Sequence, residues 1–459
     1  MFAETPLALF LPAQYSEIMD AMDRRQFLVR TGLALSAGLL AGTLPLPKAL
    51  GQTTAAPPPK LDTWEAVRDQ FLLKRDWIHM TGFLLASHPA PVRKAIERHR
   101  LGLDEDPATY WFENEERAEA EVLRAAADYL GAQPTDIALT DSTTMGLGLL
   151  YGGLTLWPGQ EILSTTHDHY STETSLRHRA ERTNASFRQV PLYKKLATVS
   201  RDEIVDSLVK AVRPNTRYVA VTWVHSSTGL KLPIRAIADA LATVNTRRNE
   251  KDRVILCVDG VHGFGVEDVT VSDLSCDFFT AGCHKWMLGP RGTGLVWGHP
   301  RAWPLAHATI PTFNNEAYRI WMKELPPHEV SKAAIMTPGG FHSFEHRWAL
   351  DEAFKFHLAI GKDRIAARIH LLNRQLKEGL AAMKQVTLHT PMADDLSAGI
   401  VCFEVDGMTP EQVVQALRQK KILASVTPYE TKYARLAPSL LTSPEEVDKT
   451  LAAVRNLKS

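Results

Sequence analysis

Residues 277–297, "DFFTAGCHKWMLGPRGTGLVW", begin like a buried strand and then become a loop rich in glycine. His284 and Lys285 stand at the junction. A lysine after a strand is usually a solvated surface residue, so Lys285 by itself indicates no chemistry. An amine held beside a bound ligand, however, can act as a covalent nucleophile. The glycines that would let such a ligand approach the backbone are Gly282, Gly289, Gly292 and Gly294.

Apolar, β-branched segments precede this stretch and alternate with helical ones. The segments typical of buried parallel strands are "DIALT", "EILSTT", "RYVAVTWV", "RVILCVDG" and "CDFFTAG". Segments with helical spacing of apolar residues, such as "RDEIVDSLVKAV" and "IRAIADALATV", lie between them. The alternation predicts an α/β fold, with a large domain over residues 62–334 whose mostly parallel sheet is flanked by helices on both faces.

The pattern changes near residue 335. Long amphipathic segments, such as "IAARIHLLNRQLKEGLAAM", are followed by two strand candidates and a final helix. This order predicts a smaller α+β C-terminal domain over residues 335–459. The first residues of the large domain are expected to pack on it.

The composition is that of a globular protein long enough for two packed domains. The chain has 459 residues, of which 45% are hydrophobic and 23% are charged. Lysine plus arginine and aspartate plus glutamate are equal at 52 each, so no overall basic field favours nucleic acid. The four cysteines lie in or near apolar runs without a CxxC pair, and we expect buried free thiols rather than disulfides.

The N-terminal segment differs from the rest of the chain. Paired arginines at 24–25 and Phe-Leu at 27–28 precede a modestly apolar run, 33–46, which is shorter than the roughly 20 residues of a spanning helix. We interpret residues 1–51 as an unstructured start with a twin-arginine signal peptide, and 52–61 as a disordered leader. The alternative is an ordinary N-terminal helix or a membrane anchor. The prediction is a periplasmic or exported protein that uses the twin-arginine export machinery and has no stable membrane span.

Polar residues occupy the ends of the predicted strands, where ligands of open parallel sheets bind. Thr143 and Thr144 follow "DIALT" at a turn that opens a helix, a natural seat for phosphate because the helix presents free N–H groups. Helix capping alone would also explain these hydroxyls. His169 follows "EILSTT", where its flat ring could stack on an aromatic ligand.

Asp259 ends the apolar strand "RVILCVD", and His262 follows three residues later. A carboxylate at the end of a buried strand is costly unless a cation meets it, although Asp259 could instead cap the next turn. Together the strand ends offer a phosphate seat, a stacking ring, a carboxylate for a cationic ring nitrogen, and the Lys285 amine. These are the groups that pyridoxal phosphate requires.

At this point the sequence resembles the class V aminotransferase family of pyridoxal-phosphate enzymes, which also contains cysteine desulfurases, and especially its isopenicillin N epimerase-like members. The resemblance runs from "WIHMTGFLLASHPAPVRKAI" to "YARLAPSLLTSPEEVDKTL", and "VDGVHG" followed by "HKWMLGPRGTG" is its most specific part. It implies the fold type I architecture of these enzymes. It also implies a homodimer, because family sites are completed across the subunit interface.

The resemblance assigns roles residue by residue. Lys285 would form the Schiff base, and Asp259 would hold the pyridine nitrogen and keep the ring protonated. His169 would stack on the ring, and His262, with Ser226, would lie near the ring hydroxyl. The phosphate would be held by Thr143, Thr144 and His284. Arg435 would grip the α-carboxylate of an amino-acid or peptide-like substrate with its bidentate fork, although it could also be a surface arginine.

Two departures from the sequence pattern of the family narrow the range of reactions that we expect. Cysteine desulfurases carry a nucleophilic cysteine on a loop before that arginine, but "ILASVTPYETKYARL" has none, and Cys402 lies in the apolar run "GIVCFEV". Family members also often have serine or threonine where this chain has Gly282. We therefore expect an epimerase-like enzyme acting at Cα, with a transaminase or a C-S lyase as alternatives. A non-catalytic exported binding protein is disfavoured by the intact pair of Lys285 and Asp259.

Two histidine patterns resemble metal sites. His167 and His169 lie two residues apart near a strand end, where alternate side chains face opposite ways. The segment 342–346, "HSFEH", fits the pattern of inverted zinc peptidases, but so short a match arises easily by chance in a chain with 17 histidines. We therefore expect no metal.

Overall fold

The computed structural model describes residues 60–457. The predicted signal peptide and most of the leader, residues 1–59, lie outside them. Seven strands form the main sheet: β2 (Ile137–Thr140), β3 (Glu161–Thr165), β4 (Ser186–Val190), β5 (Thr216–Thr222), β6 (Ile255–Asp259), β7 (Phe278–Gly282) and β8 (Gly294–Gly298). The helices that precede or connect them are α1 (Trp64–Arg68), α2 (Ala90–Glu105), α3 (Pro107–Leu130), α4 (Thr143–Gly153), α5 (Tyr170–Thr183), α6 (Arg201–Ala211), α7 (Ile234–Asn245) and α8 (Val271–Leu274).

The main sheet has the strand order β2-β8-β7-β6-β5-β3-β4. Only β8 runs against its neighbours, since β2 and β7 both pair with it antiparallel while the remaining pairs are parallel. The carboxyl ends of β2, β3, β5, β6 and β7 therefore meet at one edge of the sheet. This is where ligands of open α/β sheets bind.

Both faces of the main sheet are buried, as its continuous apolar strands predict. Alternate residues of one strand enter different clusters of the core. In β6, Leu256 and Val258 pack into one cluster, whereas Ile255 and Cys257 pack into the other. The helices thus cover both sides of the sheet, which confirms the predicted α/β architecture.

The C-terminal part contains a second, antiparallel sheet of order β12-β13-β10-β9. Its strands are β9 (Val386–Leu388), β10 (Val401–Val405), β12 (Ser425–Val426) and β13 (Ala434–Leu436). The remaining helices along the chain are α9 (Asn315–Trp321), α10 (Lys332–Met336), α11 (Phe344–Trp348), α12 (Leu350–Ile360), α13 (Lys362–Ala381), α14 (Pro410–Gln419) and α15 (Pro444–Arg455). Short 3₁₀ turns occur at Pro134–Asp136, Leu196–Thr198, Glu250–Asp252, Trp303–Leu305 and Asp394–Leu396.

A strand near the start of the described range pairs with a strand of the C-terminal part. Strand β1 (Ile78–His79) pairs in parallel with β11 (Ile422–Leu423). Leu61, which the sequence analysis assigns to the disordered leader, is instead buried in the main core, and its carbonyl accepts a hydrogen bond from Arg364 at 3.2 Å. The prediction of a disordered leader is therefore wrong at Leu61, because its apolar side chain packs in the core.

The five strands expected from sequence are all present, but β4 and β8 were not predicted. The boundary between the two domains at residues 334 and 335 stays a prediction. All four cysteines are free and buried, as expected from their apolar surroundings. In the described range, no helix is long and apolar enough to cross a membrane.

Candidate active site

The common edge of the main sheet gathers side chains from five strand ends. Thr143 follows β2, His169 follows β3, and Ser226 follows β5. Asp259 is the last residue of β6, and Lys285 follows β7. β6 and β7 are adjacent parallel strands, so Asp259 at the end of β6 and Lys285 shortly after β7 lie at the same edge of the sheet, where the charge of each shifts the pKa of the other.

Lys285 packs against His262. Its Nζ lies 3.4 Å from Nε2 of His262, while Nδ1 of that ring accepts a hydrogen bond from Nε1 of Trp286 at 3.3 Å. Burial lowers the pKa of His262 well below its ordinary value, and the charge of Lys285 lowers it further, so the ring is neutral. A neutral imidazole that accepts at Nδ1 carries its proton on Nε2. His262 therefore directs an N–H towards the lysine amine.

The amine of Lys285 is less basic than an ordinary lysine. Burial lowers its pKa from 10.5 to about 8; the charge of Arg435 acts in the same direction, and that of Asp259 opposes it. A neutral fraction of the amine is therefore available near physiological pH. An unprotonated amine is what a lysine needs in order to act as a nucleophile or as a base.

Asp259 is buried at the end of β6, with 3% of its surface exposed. Burial raises its pKa to about 6, although the backbone N–H of Val261, which donates to Oδ1 at 3.1 Å, and the charge of Lys285 oppose the shift. Among the described residues, no donor bonds its other oxygen. A cationic N–H at that oxygen would stabilise the ionised carboxylate, so the position suits a protonated pyridine nitrogen.

The phosphate seat predicted after β2 is the N-terminus of α4. Ser142 caps the helix by accepting from the N–H of Met145 at 3.1 Å. Thr143 Oγ1 accepts the N–H of Gly282 at 2.8 Å, which joins this turn to the end of β7. A Cβ at position 282 would lie 2.9 Å from Thr143 Oγ1. Glycine is therefore present here because the threonine occupies the space that a side chain at 282 would need.

His284, which follows β7, is the third residue predicted to hold the phosphate. Its Nδ1 is buried without a hydrogen-bond partner among the described residues, and burial lowers the pKa of the ring. An unpaired buried nitrogen costs free energy unless a ligand bonds to it. A phosphate oxygen at the N-terminus of α4 would supply that partner.

His169 caps α5 and is held in one orientation. Its Nδ1 accepts the N–H of Ser171 at 3.2 Å, and Ser171 Oγ links it to Thr144 Oγ1 at 3.1 Å. Burial lowers the pKa of His169, and the charges of Lys285 and Arg435 lower it further. The ring is therefore neutral and fixed, as a stacking partner should be. Thr144 itself is exposed at the first turn of α4.

Asp168, the residue before His169, holds the strand ends together. One of its oxygens accepts from Ser164 Oγ, Thr165 N and Thr165 Oγ1 at 2.7–2.8 Å. The other accepts the N–H of Thr222 at 2.6 Å. These bonds join β3 to β5, so they position His169 relative to the other strand ends.

Arg435 enters the site from β13 and is 2% exposed. It donates from Nε to Ser425 Oγ, from Nη1 to the Ser226 carbonyl and from Nη2 to the Val426 carbonyl, at 2.8–3.3 Å. Its guanidinium also lies 4.5 Å from the ring centroid of Phe83. A guanidinium has five N–H groups, so one remains on each terminal nitrogen. Two such donors on the terminal nitrogens can bind a carboxylate.

Tyr429 also lies in the site, although sequence reasoning did not select it. Its hydroxyl is 2.7 Å from Ser226 Oγ, and its ring meets His169 edge to face, with centroids 6.2 Å apart. The residue stands in "ILASVTPYETKYARL", the segment that also carries Arg435. The available signal was an aromatic residue six positions before Arg435 on the same segment.

Other histidines lie in separate surroundings. The rings of His167 and Tyr193 stack with centroids 4.4 Å apart, whereas His169 caps α5. His342 and His346 each lie near a backbone carbonyl, that of Gly340 at 3.2 Å and that of Arg291 at 2.9 Å. Within residues 60–457, no group of three or more histidine, cysteine or acidic side chains could hold a metal ion.

The predicted residues present fit pyridoxal phosphate. The unpaired Nδ1 of His284 and the helix N-terminus suit its phosphate, the free oxygen of Asp259 suits its ring nitrogen, and Lys285 suits its aldehyde. The individual roles of these residues stay predictions.

Comparison with known proteins agrees with this geometry. The aminotransferase class-V family matches residues 112–426. Isopenicillin N epimerase of Streptomyces clavuligerus is 25% identical over 405 residues, which cover 85% of this chain and 97% of that protein. A probable cysteine desulfurase of Halalkalibacterium halodurans is 26% identical over 291 residues, 61% of this chain and 65% of that protein.

Solved structures of similar proteins share the fold. A cystine C-S lyase in complex with cysteine persulfide superposes with a TM-score of 0.75 at 22% identity, over 84% of this chain and 99% of that one. The cysteine desulfurase of Thermococcus onnurineus has a TM-score of 0.71 at 19% identity, over 85% and 97% of the two chains. The present chain belongs to the aminotransferase class-V family and is a pyridoxal-phosphate-dependent enzyme with the fold type I architecture.

Proposed function

We propose that the enzyme acts at Cα of an amino-acid or peptide-like substrate, as an isopenicillin N epimerase-like protein. The observation that carries the proposal is the Lys285 amine, which lies beside neutral His262 and has its pKa lowered to about 8 in a site that also contains Asp259 and Arg435. A lysine in such surroundings suits proton transfer at carbon near neutral pH.

Each residue of the site has a separate role in the proposed reaction. When bound, pyridoxal phosphate supplies an aldehyde for the substrate amine and a cationic ring that withdraws electrons from Cα. Asp259 keeps the ring nitrogen protonated through its unpaired oxygen. Lys285 removes the proton from Cα, and neutral His262, 3.4 Å from the amine, adds no charge that would oppose that step. His169 and the N-terminus of α4 hold the ring and the phosphate in place.

Arg435 orients the substrate. Its two remaining N–H groups bind the α-carboxylate, while three bonds to protein acceptors and the face of Phe83 hold the guanidinium rigid. Fixing the carboxylate fixes the direction of the Cα–H bond, which is worth several kcal/mol of barrier in well-oriented reactions. The substrate is therefore one with a free α-carboxylate.

Epimerisation is our first choice among the possible outcomes because the isopenicillin N epimerase of Streptomyces clavuligerus matches along nearly its whole length. The test is incubation of the cofactor-loaded enzyme in heavy water with isopenicillin N and a panel of L-amino acids. We expect deuterium at Cα together with inversion and no keto acid. Stoichiometric keto acid would identify a transaminase instead, and loss of a sulfur-bearing β-substituent would identify a C-S lyase.

Sulfur transfer through a protein persulfide does not fit this chain. Cys402 lies in β10 with no exposed surface, and burial raises the pKa of its thiol to about 12. The other three cysteines are buried too. A nucleophilic cysteine needs an accessible thiolate, which none of these positions provides.

We also propose that two copies of the chain form a dimer through an aromatic face. This face consists of Trp111, Phe112, Phe341 and Phe344, whose ring centroids lie 5.0–6.2 Å apart. Phe112 is 77% exposed and Phe341 is 83% exposed. A monomer rarely leaves such a cluster in water. Its residue Phe341 follows directly on Gly339–Gly340, and the family resemblance implies that a loop in this region reaches towards the phosphate of the partner subunit.

The dimer can be tested by sedimentation equilibrium. Phe341→Asp should shift the protein towards the monomer, because a charge within an apolar interface loses its water. Leu72→Asp is the matched control, since Leu72 is 78% exposed but does not belong to the aromatic face. A wild-type protein that remains monomeric at high concentration would refute the proposal.

Export through the twin-arginine route is proposed from the sequence, since residues 24–28 lie outside the described structure. The support is the arginine pair followed by Phe-Leu and an apolar run too short to span a membrane. Replacing both arginines by lysine should retain the protein in the cytoplasm, as measured by cell fractionation. An unchanged periplasmic fraction would exclude this route.

A further inference from the structure

Tyr429 occupies the tip of a loop that is closed at its base. Residues 427–433 connect β12 to β13, and the ends of this loop are joined by two hydrogen bonds between Thr427 and Tyr433 at 2.8–3.0 Å. The neighbours Pro428 and Glu430 are exposed, whereas Tyr429 turns inward. The loop therefore presents one aromatic side chain to the active site.

The contacts of Tyr429 place its hydroxyl among the groups that bind cofactor and substrate. The oxygen lies 2.7 Å from Ser226 Oγ, and Ser226 in turn accepts from Arg435 through its carbonyl. The planes of the Tyr429 and His169 rings are 80° apart, with centroids at 6.2 Å. Lys285, by contrast, packs against His262. Tyr429 and Lys285 therefore have different contacts in the site: Tyr429 contacts Ser226 and His169, whereas Lys285 contacts His262.

We propose that Tyr429 is a second proton-transfer residue at the substrate Cα, acting on the face opposite to Lys285. This inference rests on the proposed function and deepens it, because inversion needs one group that removes a proton and another that delivers one from the other side. Burial raises the pKa of Tyr429, so its hydroxyl keeps its proton at neutral pH and can serve as the donor.

The step balances without an oxidant or reductant. Nζ of Lys285 takes the proton from Cα on one face, and the Tyr429 hydroxyl gives its proton to the same carbon on the other face. The product keeps its amine and carboxylate. The phenolate is then reprotonated through solvent, and the lysine ammonium loses its extra proton the same way. In the reverse direction the two residues exchange roles.

The decisive variant is Tyr429→Phe in the cofactor-loaded enzyme, which removes only the hydroxyl. In heavy water, with the panel of L-amino acids and isopenicillin N, we expect deuterium exchange with retention to persist within a few-fold, because Lys285 still works on its own face. Inversion should fall by at least about 100-fold, the usual weight of one acid–base group. Tyr433→Phe, on the same loop but stacked on His389, is the matched control and should change neither rate.

The outcomes separate this inference from the proposed function. Inversion by Tyr429→Phe within about threefold of the wild type, or equal loss of exchange and inversion, would overturn the role of Tyr429. A wild-type enzyme that exchanges no Cα proton with any probe would overturn the proposed function itself.

A second readout does not depend on turnover. Ultraviolet difference titration of the cofactor-free protein, wild type against Tyr429→Phe, isolates the ionisation of this phenol. Addition of pyridoxal phosphate should shift its midpoint, because the phenol lies beside His169, the predicted stacking residue. The midpoint obtained in the same way from wild type against Tyr433→Phe should not shift when pyridoxal phosphate is added. A Tyr429 titration that the cofactor leaves unchanged would place the hydroxyl outside the site and refute the inference.

Discussion

The reactivity of Lys285 towards acylating reagents is the most direct test of the site, because it needs neither cofactor nor substrate. Its pKa is lowered to about 8, chiefly by burial. At about pH 7.5, about a quarter of the Lys285 amines are then neutral, against about one in a thousand for an ordinary lysine at 10.5. Only the neutral amine is acylated. Intrinsic reactivity being equal, Lys285 should be labelled at pH 7.5 about 200 times faster than in the unfolded chain.

Two variants should move the labelling midpoint in opposite directions. Asp259→Asn removes a negative charge that favours the ammonium, so the midpoint of Lys285 should fall further. Arg435→Met removes a positive charge that disfavours the ammonium, so the midpoint should rise towards the ordinary value. The opposite signs follow from the arrangement of charges and would not arise from a general loosening of the fold.

The measurement is the extent of acylation of the Lys285 peptide by mass spectrometry, at a limiting reagent concentration and over a series of pH values. The same peptide labelled in concentrated urea supplies the reference. A folded midpoint equal to the reference would refute the idea that burial activates this lysine. Shifts of the same sign in both variants would refute the charge arrangement.

Three further predictions concern the supports of the site. Gly282→Ala puts a methyl group 2.9 Å from Thr143 Oγ1, and we expect cofactor affinity to fall about tenfold by absorbance titration, whereas Gly148→Ala, whose Cβ has no neighbour within 4 Å, should leave it unchanged. Arg435→Lys keeps the charge but loses the fork, so KM should rise about tenfold to 100-fold with a smaller change in kcat; an unchanged KM would remove Arg435 from the substrate site. Asp168→Ala should cost about 2–4 kcal/mol in urea unfolding, since it leaves several buried donors unpaired, and a loss below about 0.5 kcal/mol would contradict that role.

The main sheet could be predicted from sequence to the extent that its strands are apolar throughout. Strands β2, β3, β5, β6 and β7 are fully buried and correspond to the five predicted segments. β4 at the sheet edge reads "SFRQV", with polar residues between apolar ones, so it lacks the pattern of a buried strand. β8 begins and ends with glycine, which weakens a strand prediction even though it pairs with two neighbours.

The candidate site was predictable where a polar residue interrupts an apolar run. Asp259 stands out as the last residue of the buried strand β6, and Lys285 as a charged residue three positions after the buried strand β7. Tyr429 lacks such a signal, since its partner Ser226 is 203 residues away and the contact exists only after folding. The role of Asp168 was hidden for a related reason, because its bonds join β3 to β5 and the sequence does not show which strands are adjacent.

The charge of the site also limits which ligands it can take. Burial lowers the pKa values of His169, His262 and His284, so the three rings add no charge near neutral pH. Lys285 and Arg435 remain the cations there, and Asp259 is the carboxylate that acts on the lysine. Arg435 has no carboxylate among its hydrogen-bond partners in the described structure, so an anionic ligand at its remaining N–H groups is stabilised there and a cationic one is not. A cofactor phosphate at the N-terminus of α4 and a substrate carboxylate on Arg435 supply negative charge at two separate points. Because the histidines are neutral, the helix N-terminus and Arg435, rather than imidazolium charge, stabilise these two anions.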